Sequence, residues 1–157
     1  MKIVLASKSE VRKKILNSHK INCNVLPANI DEDQVKESMI GKKATPELIS
    51  KNLAELKANK ISLKTPDELV LGADSVIDLE GKLISKPKTR EEAVEILKKL
   101  NGKKHQLISS VCISKNGSMI WNYTDASTLT MKKFNLDEIK SYLDKIKDEI
   151  LYAYGVY

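Results

Sequence analysis

The sequence contains little cysteine, few aromatic residues and no long apolar run, and each shortage excludes a class of protein. The cysteines Cys23 and Cys112 lie far apart in a chain of 157 residues and have no metal-ligand spacing. They exclude a disulfide framework and favour a reducing compartment, so we expect a cytoplasmic protein. No apolar run approaches the ~20 residues of a membrane-spanning helix, so we expect no membrane partner. The apolar start ends at Ala6, too early for a signal peptide.

Arginine is also scarce, because Arg12 and Arg90 are the only arginines among 27 basic residues. The net charge is +6, but the lysines are dispersed among 21 acidic residues, and aromatics make up only 4%. A nucleic-acid surface gathers its basic residues into a stripe with aromatics between them, so the pattern disfavours nucleic acid as the main partner. The lysine excess indicates a coding bias. Each arginine is therefore more informative, since a guanidinium binds phosphate better than an ammonium does.

The length fits one domain, since domains usually have ~100–200 residues. Strands and helices alternate at first, and a hairpin and a helix follow, which predicts an α/β (α+β) domain with a mixed sheet. Helices are predicted after the capping residues Ser9, Thr45, Thr89 and Asn135. Residues 28–43 are predicted to be loop-like. Strands are predicted at 2–6, 22–26, 69–77, 106–114 and 119–131, and a last strand at 151–157. Hairpin turns are predicted at Glu80-Gly81 and at Asn116-Gly117.

The first candidate site lies where the first strand meets the first helix. Ser7 and Ser9 follow the strand, and Arg12 lies in the first turn of the helix. A helix N-terminus offers free N–H donors and a partial positive charge, and the hydroxyls and the guanidinium add further donors for phosphate. The alternative is a plain helix cap, with Ser9 as the N-cap and Arg12 in solvent.

The second candidate is Asp74, which interrupts an apolar run after Gly72 and Ala73. A carboxylate in such a run is costly to bury alone, so it must face a polar cleft, a metal or a basic group. Perturbed carboxylates cluster at functional sites. The alternative is a structural pair with a lysine or with a backbone N–H.

Three further features are weaker. The acids at 31–33 could bind Mg²⁺ with water and phosphate, and the alternative is a solvated acidic loop. Lys86 precedes Pro87, so its backbone is extended and could direct the amine into a cleft. Lys57 lies within a helical stretch, and a surface lysine is the alternative at both positions. No phosphate-binding glycine loop and no Ser/His/Asp or Cys/His constellation occurs.

The order of these short motifs along the chain is more specific than any one of the motifs alone. The sequence reads LASKSEVR at 5–12, acids at 31–32, LAELKA at 53–58, GAD at 72–74, KP at 86–87 and LNGKKH at 100–105. This order and spacing resemble the Maf-like nucleoside triphosphate pyrophosphatase family, also known as septum formation proteins. The resemblance covers nearly the whole chain and includes the strand at 129–131 and the Gly155-Val156-Tyr157 end.

The resemblance implies an enzyme that hydrolyses nucleoside triphosphates, including non-canonical or modified ones, to a nucleoside monophosphate and pyrophosphate. It also implies an inosine-triphosphatase-like fold with two lobes and a central cleft, and a homodimer. The positions that match the family would have different roles in the reaction. Asp74 would act as the base, and Asp31, Glu32 and Asp74 would hold Mg²⁺ or Mn²⁺. The phosphates would be bound by Ser7, Ser9, Arg12, Lys57 and Lys86.

The sequence departs from the family pattern at three places. Glu10 and Val11 stand where relatives have proline and a first arginine, which removes one phosphate contact. Ser75 stands where relatives have threonine or glutamine. The chain stops at Tyr157, where relatives continue, so we expect 1–157 to be one Maf-like domain that is incomplete at its C-terminus. These departures keep open a non-catalytic nucleotide-binding or regulatory protein linked to cell division. A weaker third hypothesis is a nucleic-acid-binding protein that uses the +6 charge.

Overall fold

The fold is a mixed α/β arrangement built on a six-stranded sheet. The structure, a computed structural model, describes residues 3–156. Its strands are β1 (Ile3–Leu5), β2 (Cys23–Val25), β3 (Leu69–Leu79), β4 (Lys82–Ile84), β5 (Lys104–Lys115) and β6 (Ser118–Thr130). Its helices are α1 (Glu10–Ser18), α2 (Glu32–Gly41), α3 (Pro46–Ser62), α4 (Arg90–Leu100), α5 (Leu136–Asp144) and α6 (Asp148–Tyr154). No helix of that range is long and apolar enough to cross a membrane.

The strand order of the sheet is β2-β1-β3-β5-β6, and β4 pairs with β3. β1 runs parallel to both β2 and β3, with Leu5 opposite Val25 on one side and Leu71 on the other. Parallel neighbours need crossover connections. α1 lies in the connection from β1 to β2, and α2 and α3 lie in the connection from β2 to β3. β1 ends opposite Leu71, near the start of β3, so the segment that follows Leu5 starts next to residues 72–74.

Two tight turns form as the sequence predicts. Glu80 and Gly81 connect β3 to its antiparallel partner β4, and Asn116 and Gly117 connect β5 to β6. All four residues have positive φ, from 51° at Asn116 to 84° at Gly117. Positive φ at both central residues is the geometry of the hairpin turn that matches strand twist. The hairpin predictions at both places are therefore confirmed.

The described chain divides into two compact units. The first unit contains the described residues up to Ser75 together with Ile108–Asp125, and the second contains Val76–Leu107 and the described residues from Ala126 onwards. The largest hydrophobic cluster belongs to the second unit and consists of Ile77, Leu79, Ala93, Leu97, Leu100, Ile139, Leu143, Leu151 and Val156. The predicted extent of one domain over 1–157 stays a prediction.

Two predicted segments are wrong. Residues 32–41, expected as loop, form α2, and residues 151–154, expected to begin a strand, lie in α6. α2 has no fully buried residue, and Val35 and Met39 are the apolar side chains of its half-buried face, a pattern too short to indicate a helix. α6 has only 7 residues, and an apolar run that short does not distinguish a helix from a strand. Lys2 and Tyr157, the ends of two predicted strands, lie outside the described residues.

The buried face of α3 differs from the predicted one. The sequence pattern predicts an apolar face made of Leu48, Ile49, Leu53 and Leu56. Ile49 and Leu53 are buried, but Leu48 and Leu56 are 47% and 42% exposed. The helix instead buries a face that mixes small and polar residues with larger apolar ones: Ile49, Ser50, Leu53, Ala54, Lys57, Ala58, Ile61 and Ser62. This face turns a lysine inward, which no hydrophobic pattern predicts.

Gly72 explains why that face of α3 is inward. A Cβ atom added at Gly72 would overlap the carbonyl oxygen of Ala54 and would lie 2.8 Å from the backbone nitrogen of Ala58. The backbone of α3 therefore packs directly on β3 at this point. Only glycine permits so close an approach, and the two alanines keep the helix surface equally flat.

We predict that Gly72→Ala lowers the free energy of unfolding by about 2–3 kcal/mol, because the added methyl group forces α3 away from β3. Gly41→Ala is the matched control, since a Cβ atom at Gly41 meets nothing within 4 Å and alanine favours the helix. Urea unfolding of both variants measures the difference. Equal stabilities for the two variants would contradict the close approach.

Candidate functional site

The end of β1 and the start of α1 form a compact group of hydrogen-bond donors. Ser9 is the N-cap of α1, and its hydroxyl oxygen accepts the Arg12 N–H at 3.3 Å. The Arg12 guanidinium donates through Nη1 to the Ser7 hydroxyl at 3.1 Å and to the Ala73 carbonyl at 2.9 Å. The sequence leaves two interpretations of this segment open, a helix cap and an anion-binding helix start, and the cap at Ser9 is confirmed. Arg12 is not free in solvent but is attached to β3.

Two hydrogen bonds that the Ser7 hydroxyl oxygen accepts orient this group. Its oxygen accepts the Ser9 backbone N–H at 3.2 Å as well as the Arg12 Nη1 contact, and the residue is buried. A hydroxyl group has two acceptor positions and one O–H donor. Since both acceptor positions are occupied, the group can offer only its proton to a further partner. Such a donor suits an anion.

A buried cation lies between two acidic side chains in the same unit. The Lys57 ammonium is 2.8 Å from Asp74 Oδ1 and 2.8 Å from Glu32 Oε1, and the residue is only 6% exposed. It also donates to the Ala73 carbonyl at 3.5 Å. Ala73 thereby joins the two groups, because its carbonyl accepts from both Arg12 and Lys57. The structure thus brings together candidates that are distant in sequence.

Asp74 is the most deeply buried acidic side chain of this group, at 5% exposure. Burial raises the pKa of Asp74 above its ordinary value, although the neighbouring Lys57 ammonium opposes that rise. Its second oxygen, Oδ2, is buried and has no hydrogen-bond partner among the residues that the structure describes. A buried polar atom without a partner is rare and costly, so its presence marks a position where a further ligand or water is required.

α3 positions this group through two side chains on its buried face. Ser50 and Lys57 are seven residues apart, about two helical turns, and therefore face the same side. The Ser50 hydroxyl donates to the Asp74 carbonyl at 3.2 Å, and Lys57 holds the Asp74 carboxylate. Sequence reasoning missed Ser50. Its spacing from Lys57 was the available signal, together with the small residues that allow α3 to approach β3.

The acidic residues that precede and begin α2 have different roles. Asp31 is the N-cap of α2, and its Oδ1 accepts the Gln34 N–H at 3.0 Å. Glu32 follows in the first turn and contacts Lys57 and, at 3.9 Å, Lys36. The helix therefore directs Glu32 toward Asp74, while Asp31 closes the helix end. A role of Asp31 as a ligand stays a prediction.

Lys86 belongs to the second unit, whereas the residues described so far belong to the first. Its ammonium donates to the Ala153 carbonyl at 2.6 Å. The expected contact of Lys86 with phosphate stays a prediction.

The residues of the first unit fit a divalent cation only in part. No group of three or more His, Cys, Asp or Glu side chains within residues 3–156 is arranged to hold a metal ion. Glu32 and Asp74 nevertheless contact one positive charge, and Asp74 Oδ2 lacks a partner within the described chain. Mg²⁺ commonly uses one or two carboxylates and completes its shell with water and substrate phosphate. Two carboxylates with one available oxygen agree with that mode of binding.

Comparison with known proteins decides the family. The profile of the family described as "Maf-like protein" matches residues 2–157. The chain belongs to the Maf-like protein family. It is 68% identical over 155 residues to a "nucleoside triphosphate pyrophosphatase" of Pelagibacter ubique, an alignment that covers 99% of this chain and 80% of the relative. It is 34% identical to a "7-methyl-GTP pyrophosphatase" of Brucella abortus, covering 100% of this chain and 79% of that relative.

The fold agrees with a solved structure of very different sequence. A HAM1 protein from Coxiella burnetii superposes with a TM-score of 0.50 at 13% identity, covering 82% of this Maf-like chain and 70% of that protein. At that identity the likeness concerns the fold alone. The predicted fold class, a mixed α/β fold of this type, is confirmed. The predicted enzyme class, a hydrolase of acid anhydrides, is confirmed by the names of the curated relatives.

We predict that Asp74→Asn changes how stability depends on pH. The raised pKa means that folded wild-type protein keeps the Asp74 proton above about pH 3.8, where the unfolded chain loses it. The Asp74 contribution to wild-type stability is therefore complete below that pH and is lost as the pH rises through the folded-state pKa. Asn cannot titrate, so Asp74→Asn lacks this loss.

Urea unfolding without added metal, at about pH 4 and about pH 7, tests this expectation. The free energy of unfolding of Asp74→Asn minus that of wild type should therefore be larger at the higher pH, which means that the variant gains stability relative to wild type. A relative stability that shifts in the opposite direction would show that the Lys57 contact outweighs burial.

Proposed function

We propose that this Maf-like chain is a nucleoside triphosphate pyrophosphatase, which hydrolyses a nucleotide to a nucleoside monophosphate and pyrophosphate. The observation that carries the proposal is the buried Asp74 carboxylate, which has one oxygen bound to Lys57 and the other without a partner in the described chain. The Ser7 and Arg12 donors reach the same stretch of β3 through Ala73. A carboxylate beside a group of anion-binding donors is what cleavage of a phosphoanhydride requires.

The donors at the start of α1 bind the triphosphate. The Ser7 O–H, the Ser9 hydroxyl, the Arg12 guanidinium and the positive end of α1 all favour negative charge. Lys57 supplies further positive charge, and the expected contact of Lys86 with phosphate stays a separate prediction. These contacts hold the chain of phosphates in place while charge spreads over the leaving pyrophosphate.

Asp74 prepares the water that attacks. The water oxygen bonds to the α-phosphorus, and the bond between that phosphorus and the oxygen bridging to the β-phosphate breaks. Pyrophosphate leaves with the bridging oxygen, and the water proton passes to the Asp74 carboxylate, whose Oδ2 has no partner among residues 3–156. The raised pKa of Asp74 suits this task, because a general base works best when its pKa approaches the operating pH.

The carboxylates of Glu32 and Asp74 would hold Mg²⁺ or Mn²⁺, with Asp31 as a further candidate ligand. A divalent cation at this place neutralises phosphate charge and lowers the pKa of bound water. The support is the donor set itself, two carboxylate side chains around one positive charge. We also propose that the enzyme works in the cytoplasm, in keeping with the free thiols of Cys23 and Cys112. We further propose that it forms a homodimer.

Modified guanine nucleotides are among the substrates to test, because one relative is named for 7-methyl-GTP. Ser75, the position at which the sequence departs from relatives beside Asp74, forms a hydrogen bond with Ser109 at 3.0 Å between the two hydroxyl groups.

We predict that the full chain with Mg²⁺ or Mn²⁺ releases pyrophosphate from at least one nucleotide in a panel of canonical, deaminated and 7-methylated nucleoside triphosphates. Chromatography should show one monophosphate for each pyrophosphate and no diphosphate. A diphosphate product would contradict the proposed bond cleavage. Nucleotide binding without any product would favour the alternative of a non-catalytic nucleotide-binding protein. Glu10 and the exposed Val11 at the start of α1 are the observations that support this alternative.

We predict that Asp74→Asn lowers kcat by about 10²-fold or more, because the base is lost. Asp78→Asn is the matched control on the same strand. The Asp78 Oδ1 accepts the Gly81 N–H at 2.7 Å, and an asparagine oxygen can make the same bond. Its kcat should equal that of wild type. Ordinary turnover by Asp74→Asn would remove Asp74 from the reaction.

We predict that Arg12→Met lowers kcat/KM by about 10–100-fold, because one charged phosphate contact and its link to β3 are lost. Lys14→Met removes the same charge from the exposed side of the same helix and should change kcat/KM by less than about twofold. Equal losses for both variants would indicate general attraction of the nucleotide by the charge of the protein, without a specific role for Arg12.

A further inference from the structure

Lys57 has the surroundings of a bound cation. Its ammonium contacts three oxygen atoms, two from neighbouring residues of β3 and one from the start of α2: Asp74 Oδ1 and Glu32 Oε1 at 2.8 Å each, and the Ala73 carbonyl at 3.5 Å. The residue is almost completely shielded from solvent, with 6% of its surface exposed. Carboxylate and carbonyl oxygens are the ligands that Mg²⁺ and Mn²⁺ prefer. Lys57 therefore occupies a set of oxygens of the kind that a divalent cation requires.

The two acidic side chains depend on that positive charge. Asp74 is buried, and the charge of Glu32 opposes its ionisation while the charge of Lys57 favours it. Without a cation between them, the two carboxylates repel each other, and Asp74 Oδ1 loses its partner. Removing one member of a buried ion pair leaves an uncompensated charge, which is strongly destabilising. Something positive must therefore lie between Glu32 and Asp74 in every state in which both are ionised.

Lys57 is suited to leave this position. Its ammonium is carried on a flexible four-carbon chain, so it can move while α3 stays on β3. It donates to Ala73, whose carbonyl also accepts from Arg12, and so it already lies beside the donors that face the phosphates.

We infer that Lys57 is an exchangeable internal counter-ion. Its ammonium contacts Glu32 and Asp74 when no metal is bound, and it leaves both carboxylates when a divalent cation binds between them. The ammonium then contacts the phosphates. This inference rests on the proposed function only in that it assumes a divalent cation at Glu32 and Asp74. It assigns Lys57 a role in metal binding in addition to the contact with phosphate.

The test compares the binding of Mn²⁺ alone, without nucleotide, to wild type, Lys57→Met and Lys36→Met, by calorimetry and by the paramagnetic resonance signal of free Mn²⁺. Wild type must displace an ammonium and Lys57→Met need not, so we predict that Lys57→Met binds Mn²⁺ about tenfold more tightly or better. Lys36→Met removes the same charge beside Glu32, at 3.9 Å, without a contact to Asp74. Its Mn²⁺ affinity should stay within about twofold of wild type.

Thermal unfolding provides a second readout. Without metal, Lys57→Met should unfold at a lower temperature than wild type, and saturating Mn²⁺ should raise its midpoint by more than it raises that of wild type. Lys57→Gln, which keeps a hydrogen-bond donor without the charge, replaces the methionine variant if that variant does not fold. Equal Mn²⁺ affinity for wild type and the Lys57 variants, weaker binding by the variants, or equal tightening by Lys36→Met would overturn the exchange.

The outcome is independent of turnover. Tighter Mn²⁺ binding by Lys57→Met supports the exchange even if no nucleotide in the panel is hydrolysed, in which case the proposed function fails alone. Hydrolysis by wild type together with unchanged Mn²⁺ affinity in Lys57→Met overturns the exchange and leaves the proposed function intact.

Discussion

The contact of the Lys57 ammonium with Glu32 and Asp74 is the constraint on which the first unit depends. A buried lysine and a buried aspartate are each unfavourable alone, and only their mutual contact allows both to be ionised away from water. That contact requires α3 to lie against β3 without a side chain between them. Gly72 meets this requirement, because a Cβ atom there would overlap the helix backbone. One glycine thus determines the position of the charged group.

The parallel pairing of β1 with β3 joins the other half of the site to this group. β1 is short and ends at Leu5, while β3 continues past its partner Leu71 through Asp74. Ser7 therefore emerges beside the place where Asp74 is held. Arg12 then fixes the start of α1 to β3 through the Ala73 carbonyl. The ends of parallel strands are where α/β folds commonly place their ligands, because loops and helix N-termini meet there.

The two arginines of this lysine-rich chain occupy positions that need several N–H donors in a fixed geometry. Arg12 contacts a hydroxyl and a carbonyl at once. Arg90, at the start of α4, contacts Asp148 at 2.8 Å and the carbonyls of Leu143 and Ile146 at 2.9 and 2.8 Å. It therefore connects the segment between α5 and α6 to α4. Arg90 makes its three contacts through three different nitrogens, Nε, Nη1 and Nη2, which a lysine with one charged nitrogen cannot do. Arg12 makes both of its contacts through Nη1.

The sequence by itself determined the features that depend on neighbouring residues. Helix caps at Ser9, Thr45 and Asn135 and the turn at Asn116 formed as predicted, because capping and turn geometry involve residues only a few positions apart. The order of short motifs likewise indicated the family. Local patterns were insufficient for α2, which lacks a fully buried residue, and for α6, which is too short to show a helical period.

Only the tertiary structure decided which candidates act together. The patterns left Lys57 as either a surface lysine or a site residue, and Asp74 as either a functional or a structural carboxylate. Their contact, and the role of Glu32 beside an Asp31 that caps α2, depend on how closely α3 approaches β3 and on the register of β1. These are contacts between residues far apart in the chain. No local spacing encodes them, because they arise from packing whole elements around a glycine.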